Sequence, residues 1–396
     1  MLKRMRLVAL IALLAMFIPL SMDMYLPALP QMASFFRASE MAVNSTLFVF
    51  YFFMAAGMLA IGPLSDKVGR KKILVPCALA YSAFSVLCGF SAEVWQLVAF
   101  RAVQGLAVGA LVALSTAMIK DGFEGRQRET ILAISQAMSL VAPIVAPVIG
   151  AFILQFSRWQ AEFLVLAAFG ILVLALALPQ EETLPESQRL QTGVFASFSR
   201  LGIIAHDKVF MWLMVATSIA PMGYMAYVSA SSYIYQYQFG LSETQYGLFY
   251  SVNAVVTVIA SLAYIRLSAR FDSHRLMKAI LVAILASGIL VATVGQLSPF
   301  AFLACFIPNA FMCTVLKPFS TSMLLRQREG DAGSASAMLN FSQTIFSCLG
   351  LVLGSIAWPN MVFGLGGIMT VSALAAAIGW AFLPMRPPSP KEETPA

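Results

Sequence analysis

Leu7–Pro30 reads LVALIALLAMFIPLSMDMYLPALP. The stretch is long and apolar enough to enter a bilayer, and it carries one acid, Asp23. A carboxylate inside an apolar span costs about 2.5 kcal/mol or more, so an intramembrane Asp is a functional hypothesis by default. The blander alternative is a wet carboxylate near the helix end. Pro27 and Pro30, which loosen the later part of the span, keep that alternative open.

The rest of the chain has the same character. Of 396 residues, 60% are hydrophobic and 11% charged, against about 25% charged in a soluble domain. No aqueous fold hides this much apolar surface, so the class is a polytopic α-helical membrane protein. The net charge of +7 does not point to nucleic acid, because the basic residues are spread between apolar spans and read as topology signals. Lys3, Arg4 and Arg6 before an apolar run imitate a signal peptide. The run is too long for one and holds Asp23, so it reads as a retained first span. Cys77, Cys88, Cys305, Cys313 and Cys348 all fall in apolar stretches without metal-ligand spacing, and neither a disulfide nor a metal site is expected. His206 and His274 fall in loops, so no intramembrane histidine relay is available.

Apolar windows of about 20 residues recur at 7–29, 41–61, 73–90, 94–119, 130–154, 159–178, 209–231, 243–265, 276–296, 299–324, 333–357 and 360–383. That predicts twelve transmembrane helices, with both termini on one side. Placing the N-terminus in the cytoplasm puts 21 of the 25 Lys and Arg residues on the cytoplasmic side and only Arg37 and Arg158 outside, a strong positive-inside bias. Arg101 and Lys317 fall inside spans. The longest polar segment divides the chain into an N-terminal six-helix bundle (1–178), a cytoplasmic central loop (179–208) and a C-terminal six-helix bundle (209–385), followed by a Pro-rich charged tail (386–396) expected to be disordered. Leu64-Ser65-Asp66-Lys67 after span 2 is echoed by Leu267-Ser268-Ala269-Arg270 after span 8, at the same point of each half. The two bundles are therefore expected to be pseudo-symmetric.

Four motifs carry chemistry. After span 2 stands Gly62-Pro63-Leu64-Ser65-Asp66-Lys67-Val68-Gly69-Arg70-Lys71-Lys72. Gly62 permits close helix contact, Gly69 a tight turn, Asp66 a cap or charge-assisted bond, and Arg70 an ion pair with an acid at another helix end, for which Asp121 is the choice. Span 4 holds Arg101-Ala102-Val103-Gln104-Gly105. Arg101 lies 8 residues past Glu93 and Asp23 lies 7 before Pro30, so at about 1.5 Å per residue the two reach a similar depth. Gln104 follows Arg101 on the same helix face. Span 5 holds Pro143, Pro147 and Gly150, which bend a helix and admit a close neighbour. Lys317, in span 10, lies 9 residues before Arg326, too deep for easy snorkelling. It is a candidate for balancing Asp23 or holding an anion. Tyr25, Tyr224, Tyr227, Met225, Phe17 and Phe319 are candidates for a forgiving substrate pocket.

The loop after span 2 resembles, almost letter for letter, the signature of the major facilitator superfamily. The resemblance covers the whole chain: twelve spans, a central loop and a six-plus-six division. It implies that Gly62, Asp66, Gly69, Arg70 and Asp121 form a cytoplasmic gate latch. Arg101 and Gln104 resemble the family's RxxQG motif, linked to proton transfer in antiporters. Pro143, Pro147 and Gly150 resemble the exporters' antiporter motif, with alanines at two of its glycine positions. Asp23-Met24-Tyr25-Leu26-Pro27, with Trp159-Gln160 opening span 6, is similar to the bicyclomycin- and chloramphenicol-resistance branch of drug:proton antiporters. A second acid that some relatives carry in span 1 is replaced here by Ala15, leaving one titratable carboxylate expected in the cavity.

P-loop, HExxH, GxSxG and paired-Cys motifs are absent from the sequence, against an ATP-driven pump or a membrane enzyme. The expectation is a monomeric bacterial inner-membrane antiporter that exchanges protons for small amphipathic molecules. Asp23 and Arg101 couple the proton, and Asp23, Tyr25, Arg101, Gln104, Lys317, Tyr224 and Tyr227 line the cavity. No cofactor or metal is expected, and the proton is the coupling ion. A dedicated exporter of one metabolite or siderophore, a nutrient-importing proton symporter and a channel remain alternatives.

Overall fold

The computed structural model describes residues 2–189, 206–326 and 332–382. The tail 386–396 and residues 190–205 of the central loop lie outside them. The described residues form helices α1 (Leu2–Asp23), α2 (Leu29–Phe36), α3 (Glu40–Val68), α4 (Arg70–Gly89), α5 (Val94–Gly122), α6 (Gly125–Phe156), α7 (Gln160–Ala177), α8 (Lys208–Ile219), α9 (Met222–Tyr233), α10 (Glu243–Arg270), α11 (Ser273–Thr293), α12 (Pro299–Arg326), α13 (Ala332–Gly354) and α14 (Met361–Ala381).

Among the described residues, 11 helical segments are long and apolar enough to cross a membrane, and α13 contains a shorter apolar stretch, Met338–Gly354. At 23 residues, α13 is about 34 Å long, enough to cross the hydrocarbon core. Outward-facing Phe152, Ile171, Leu262, Val282, Val371 and Ile378 are more than half exposed, a surface only lipid can cover.

Several helices outrun their apolar windows: α3, α5 and α6 have 29, 29 and 32 residues, against about 20 needed to span. Ser39 starts α3 by accepting from the Ala42 N–H at 3.2 Å, and Ser242 starts α10 as a capping box with Gln245.

Two spans are broken, and they occupy corresponding places in the two halves. In span 1, α1 stops at Asp23, a single 3₁₀ turn covers Leu26–Ala28, and α2 resumes at Leu29. In span 7, Pro221 separates α8 from α9, and a π turn follows at Ile234–Gln238. Proline removes an N–H and sets the break in each case. Paired discontinuities of this kind leave backbone groups without helical partners partway along a span.

The halves meet along α6 against α10 and α3 against α13. The N-terminus of α1 packs beside the end of α5, where Gly122 faces Leu7; this is called the near end below. At the far end, hydrogen bonds stitch the halves together. Gln236 Nε2 donates to Pro27 O at 2.9 Å, Tyr237 Oη to Pro30 O at 3.1 Å, Asn44 Nδ2 to Ser229 O at 3.1 Å, and Gln155 Nε2 to Thr244 Oγ1 at 2.7 Å.

Candidate functional site

Between the halves, on the near side of that seam, lies a cavity of about 390 Å³. Ala15, Ile18, Pro19, Met22 and Asp23 of α1 form one wall. Val112, Ser115 and Thr116 of α5, with Ser135, Gln136, Ser139 and Pro143 of α6, form another, and Tyr224, Met225, Tyr250 and Asn253 close it from the other half. Among the described residues, Asp23 is the only carboxylate in this lining. It is half-buried and accepts a hydrogen bond at 3.1 Å from Tyr250 Oη, across the interface between the halves. The break after α1 therefore places the acid where both bundles and the cavity meet.

Arg101 lies elsewhere. It is fully buried inside the N-terminal bundle. Its Nη1 donates to Gln104 Oε1 at 2.6 Å and its Nη2 to Tyr25 Oη at 3.2 Å. The guanidinium also lies 3.9 Å from the centre of the Phe50 ring and 4.7 Å from that of Tyr25, within cation–π range. Gln104 passes the chain on to Ser85 Oγ at 2.6 Å, and Tyr25 Oη meets Thr46 Oγ1 at 3.1 Å. The counting along each span left the direction of each side chain open. Asp23 points across the helix break to α10, while Arg101 points into α3 and α4.

The expected cavity set is corrected accordingly. Arg101, Gln104 and Tyr25 are buried behind the wall rather than in it, because they satisfy one another. Tyr227 is buried too. It accepts from Asn253 Nδ2 at 2.7 Å and stacks on Phe306 at 3.8 Å, so it supports a lining residue rather than serving as one. Lys317 is exposed on α12, outside the cavity lining. Asp23 and Tyr224 are in it, and so are Met225 and, unforeseen, Tyr51, Tyr250 and Asn253.

At the near end Arg70 gathers the loop. Its Nε lies 2.8 Å from Asp121 Oδ2, and its Nη1 reaches Asp66 at 2.5 Å and Ser65 Oγ at 2.6 Å. Gly69 turns the chain at φ 113°, a conformation that glycine tolerates and branched residues do not. Gly62 lies within α3. Glu182 of the central loop, given no role by its sequence context, accepts from the backbone N–H of Arg70 at 2.8 Å and of Lys71 at 3.2 Å, capping α4. In α6, Pro143 lines the cavity, and Pro147 O packs against Gly247 of α10. Gly150 packs on the carbonyl of Met24, so that any side chain would strike the break in span 1.

One buried acid escaped the motif reading. Glu162 of α7 is fully buried, and its Oε1 faces Gly150 of α6. Its only sequence signal was a carboxylate three residues into an apolar span, adjoining the Trp159-Gln160 pair.

The model of the Major Facilitator Superfamily matches residues 11–351. An uncharacterized MFS-type transporter, YdgK of Bacillus subtilis, is 31% identical over 390 residues, covering 96% of this chain and 95% of its own length. The bicyclomycin resistance protein homolog of Haemophilus influenzae is 28% identical, covering 92% of this chain and 94% of its own. The multidrug resistance protein MdtL of Escherichia coli is 28% identical, with 96% of each chain covered. Among solved structures, a bacterial homolog of the human lysosomal transporter Spinster, inward-facing and unoccupied, superposes with a TM-score of 0.75 at 15% identity over 96% of each chain. A D-xylose-proton symporter gives 0.72 at 15% identity over 96% of this chain and 98% of its own. These last two likenesses show the fold. With two six-helix bundles, broken first and seventh spans and an acid between them, this chain is a membrane transporter of the major facilitator superfamily.

Proposed function

We propose that the chain exports small amphipathic or drug-like molecules in exchange for protons, by alternating access about the cavity between its halves. One observation carries the reading: among the described residues, Asp23 is the only carboxylate lining that cavity, and it is bonded to Tyr250 of the opposite half. A proton at Asp23 and a cargo in the cavity therefore compete for one place. The state of that acid bears directly on the contact between the bundles.

The rest of the lining mixes neutral polar groups, such as Ser115, Gln136 and Asn253, with polarisable ones. Met22, Met225, Tyr51 and Tyr224 offer surfaces that re-pack around cargoes of different shape. The drug-resistance names of the relatives at 28% identity favour export over import. The charge bias of the loops favours an inner-membrane protein with the near end and both termini in the cytoplasm. On that orientation the seam of hydrogen bonds is the closed outer gate, and the Arg70–Asp121–Asp66 cluster is the inner latch. The working unit is a single chain. The driving force suffices: about 2.3 kcal/mol per charge at 100 mV, with about 1.4 kcal/mol per pH unit, supports a cargo gradient of roughly two to three decades.

The test is transport into inverted vesicles of a small compound panel, with and without an uncoupler. Asp23→Asn is expected to insert normally and to move cargo no faster than uncoupler-treated wild type. Proton-driven transport at wild-type rates in that variant would overturn the reading. Proton movement in the same direction as cargo would make the chain a symporter.

A further inference from the structure

Glu162 is fully buried, and neither of its carboxylate oxygens has a hydrogen-bond partner. It takes no part in the ion pairs found among the described residues. A fully buried ionised carboxylate with neither donor nor cation among the described residues is not sustained, and it takes up a proton instead.

Its surroundings supply an acceptor for that proton. The point where a Cβ of Gly150 would lie is contacted by two oxygens, the Met24 carbonyl and, at 3.0 Å, Glu162 Oε1. The Met24 carbonyl is left over by the helix break. Pro27, three residues on, has no N–H, and the Ala28 N–H, four residues on, goes to Tyr25 O at 3.0 Å. A carboxyl oxygen and a carbonyl oxygen without a helical donor thus both face the same point beside Gly150, and a proton on the carboxyl gives it a bond to donate there.

The neighbouring elements offer little else. Residues 130–156 of α6 and 29–36 of α2 contain no ionisable side chain. From α4 come the buried Tyr81 and Cys88, and from the break come Tyr25 and Asp23. From α5 comes Arg101, whose guanidinium stands 5.9 Å from the centre of the Phe163 ring and is engaged by Tyr25 and Gln104.

We infer that Glu162 is a second proton-binding carboxyl of this transporter, protonated in this conformation and donating to the Met24 carbonyl. It thereby clamps span 6 onto the break that carries Asp23, one residue away. The inference deepens the proton-coupled reading, but its test needs no transport.

The experiment is infrared spectroscopy of the purified full-length chain in lipid nanodiscs at neutral pH, reading the C=O stretch of protonated carboxyls. D23N leaves residue 162 untouched and must keep a protonated-carboxyl band equal to one group per chain; D23N/E162Q must lose it. A D23N protein without such a band, or a double variant that retains it, overturns the proposal. Normal transport by D23N with the band intact would sink the antiport reading alone. Failed transport by D23N with no band would sink this inference alone.

Discussion

Asp23 and Arg101 are both intramembrane charges of the N-terminal bundle, yet they live in opposite conditions. Asp23 is half-buried at a helix break, with a cavity in front of it and one tyrosine from the other half. Arg101 is dry, and its side chain is committed to Gln104, Tyr25 and two aromatic faces within its own half. On the proposed reading, the first exchanges a proton; its bond to Tyr250 joins it to the partner bundle. The second is a fixed cation that organises the inside of one bundle. Intramembrane charge is thus not one kind of signal, and what a charge faces decides its work.

The comparison breaks most sharply on paired substitutions. Asp23→Asn is expected to eliminate proton-driven transport while leaving thermal stability in detergent unchanged or higher, since it removes a half-desolvated charge and keeps the shape. Arg101→Ala is expected to do the reverse first. It empties a packed site and strands Gln104 and Tyr25, destabilising the protein by about 3 kcal/mol. Melting curves of the two variants side by side check this. An Arg101→Ala protein as stable as Asp23→Asn would show that the cation is not structural.

Much of this was legible in the residues. The apolar windows, the positive-inside bias and the Gly69-Arg70 loop all follow from local composition and spacing, and among the described residues the structure returns eleven spanning helices and a twelfth with a shorter apolar stretch, with Arg70 on Asp121. Lateral facing was not legible. Depth along a helix can be counted, but a break at Pro27 rotates what precedes it, and no count along span 1 shows that Asp23 turns to Tyr250 rather than to Arg101. Glu162 was hidden for a different reason. An acid near a span end reads as wet, and only the folded chain, with Gly150 of α6 set against it, shows that it is dry. Glu182 was hidden because a loop acid declares no partner until the chain brings it back to the start of α4.

The near end sharpens the comparison further, because there a buried Arg70 is shared between Asp121 and the part-exposed Asp66. Asp121→Asn takes one of two carboxylates from Arg70 and leaves Asp66 and Ser65 Oγ in place. The expected loss is about 1 kcal/mol of stability, with a smaller loss at high salt because the cluster is partly solvated. Unfolding measured at two ionic strengths checks it. A loss as large as that of Arg101→Ala would put the latch in the same class as the buried cation.

Tyr250→Phe makes the smallest and most specific cut. It deletes one hydroxyl, the donor that links α10 to Asp23 at 3.1 Å, and leaves the ring stacked against Tyr227. One such bond to a charged acceptor is worth about 1.5 kcal/mol, or roughly tenfold in an equilibrium. The seam of far-end hydrogen bonds is untouched, so folding and insertion should match wild type. Transport should fall by no more than about tenfold, without the complete loss expected of Asp23→Asn. If Tyr250→Phe instead abolishes transport as fully as Asp23→Asn does, the tyrosine is an obligatory member of the proton path. If it changes nothing, the contact between the halves at Asp23 is incidental, and Asp23 acts through the cavity alone.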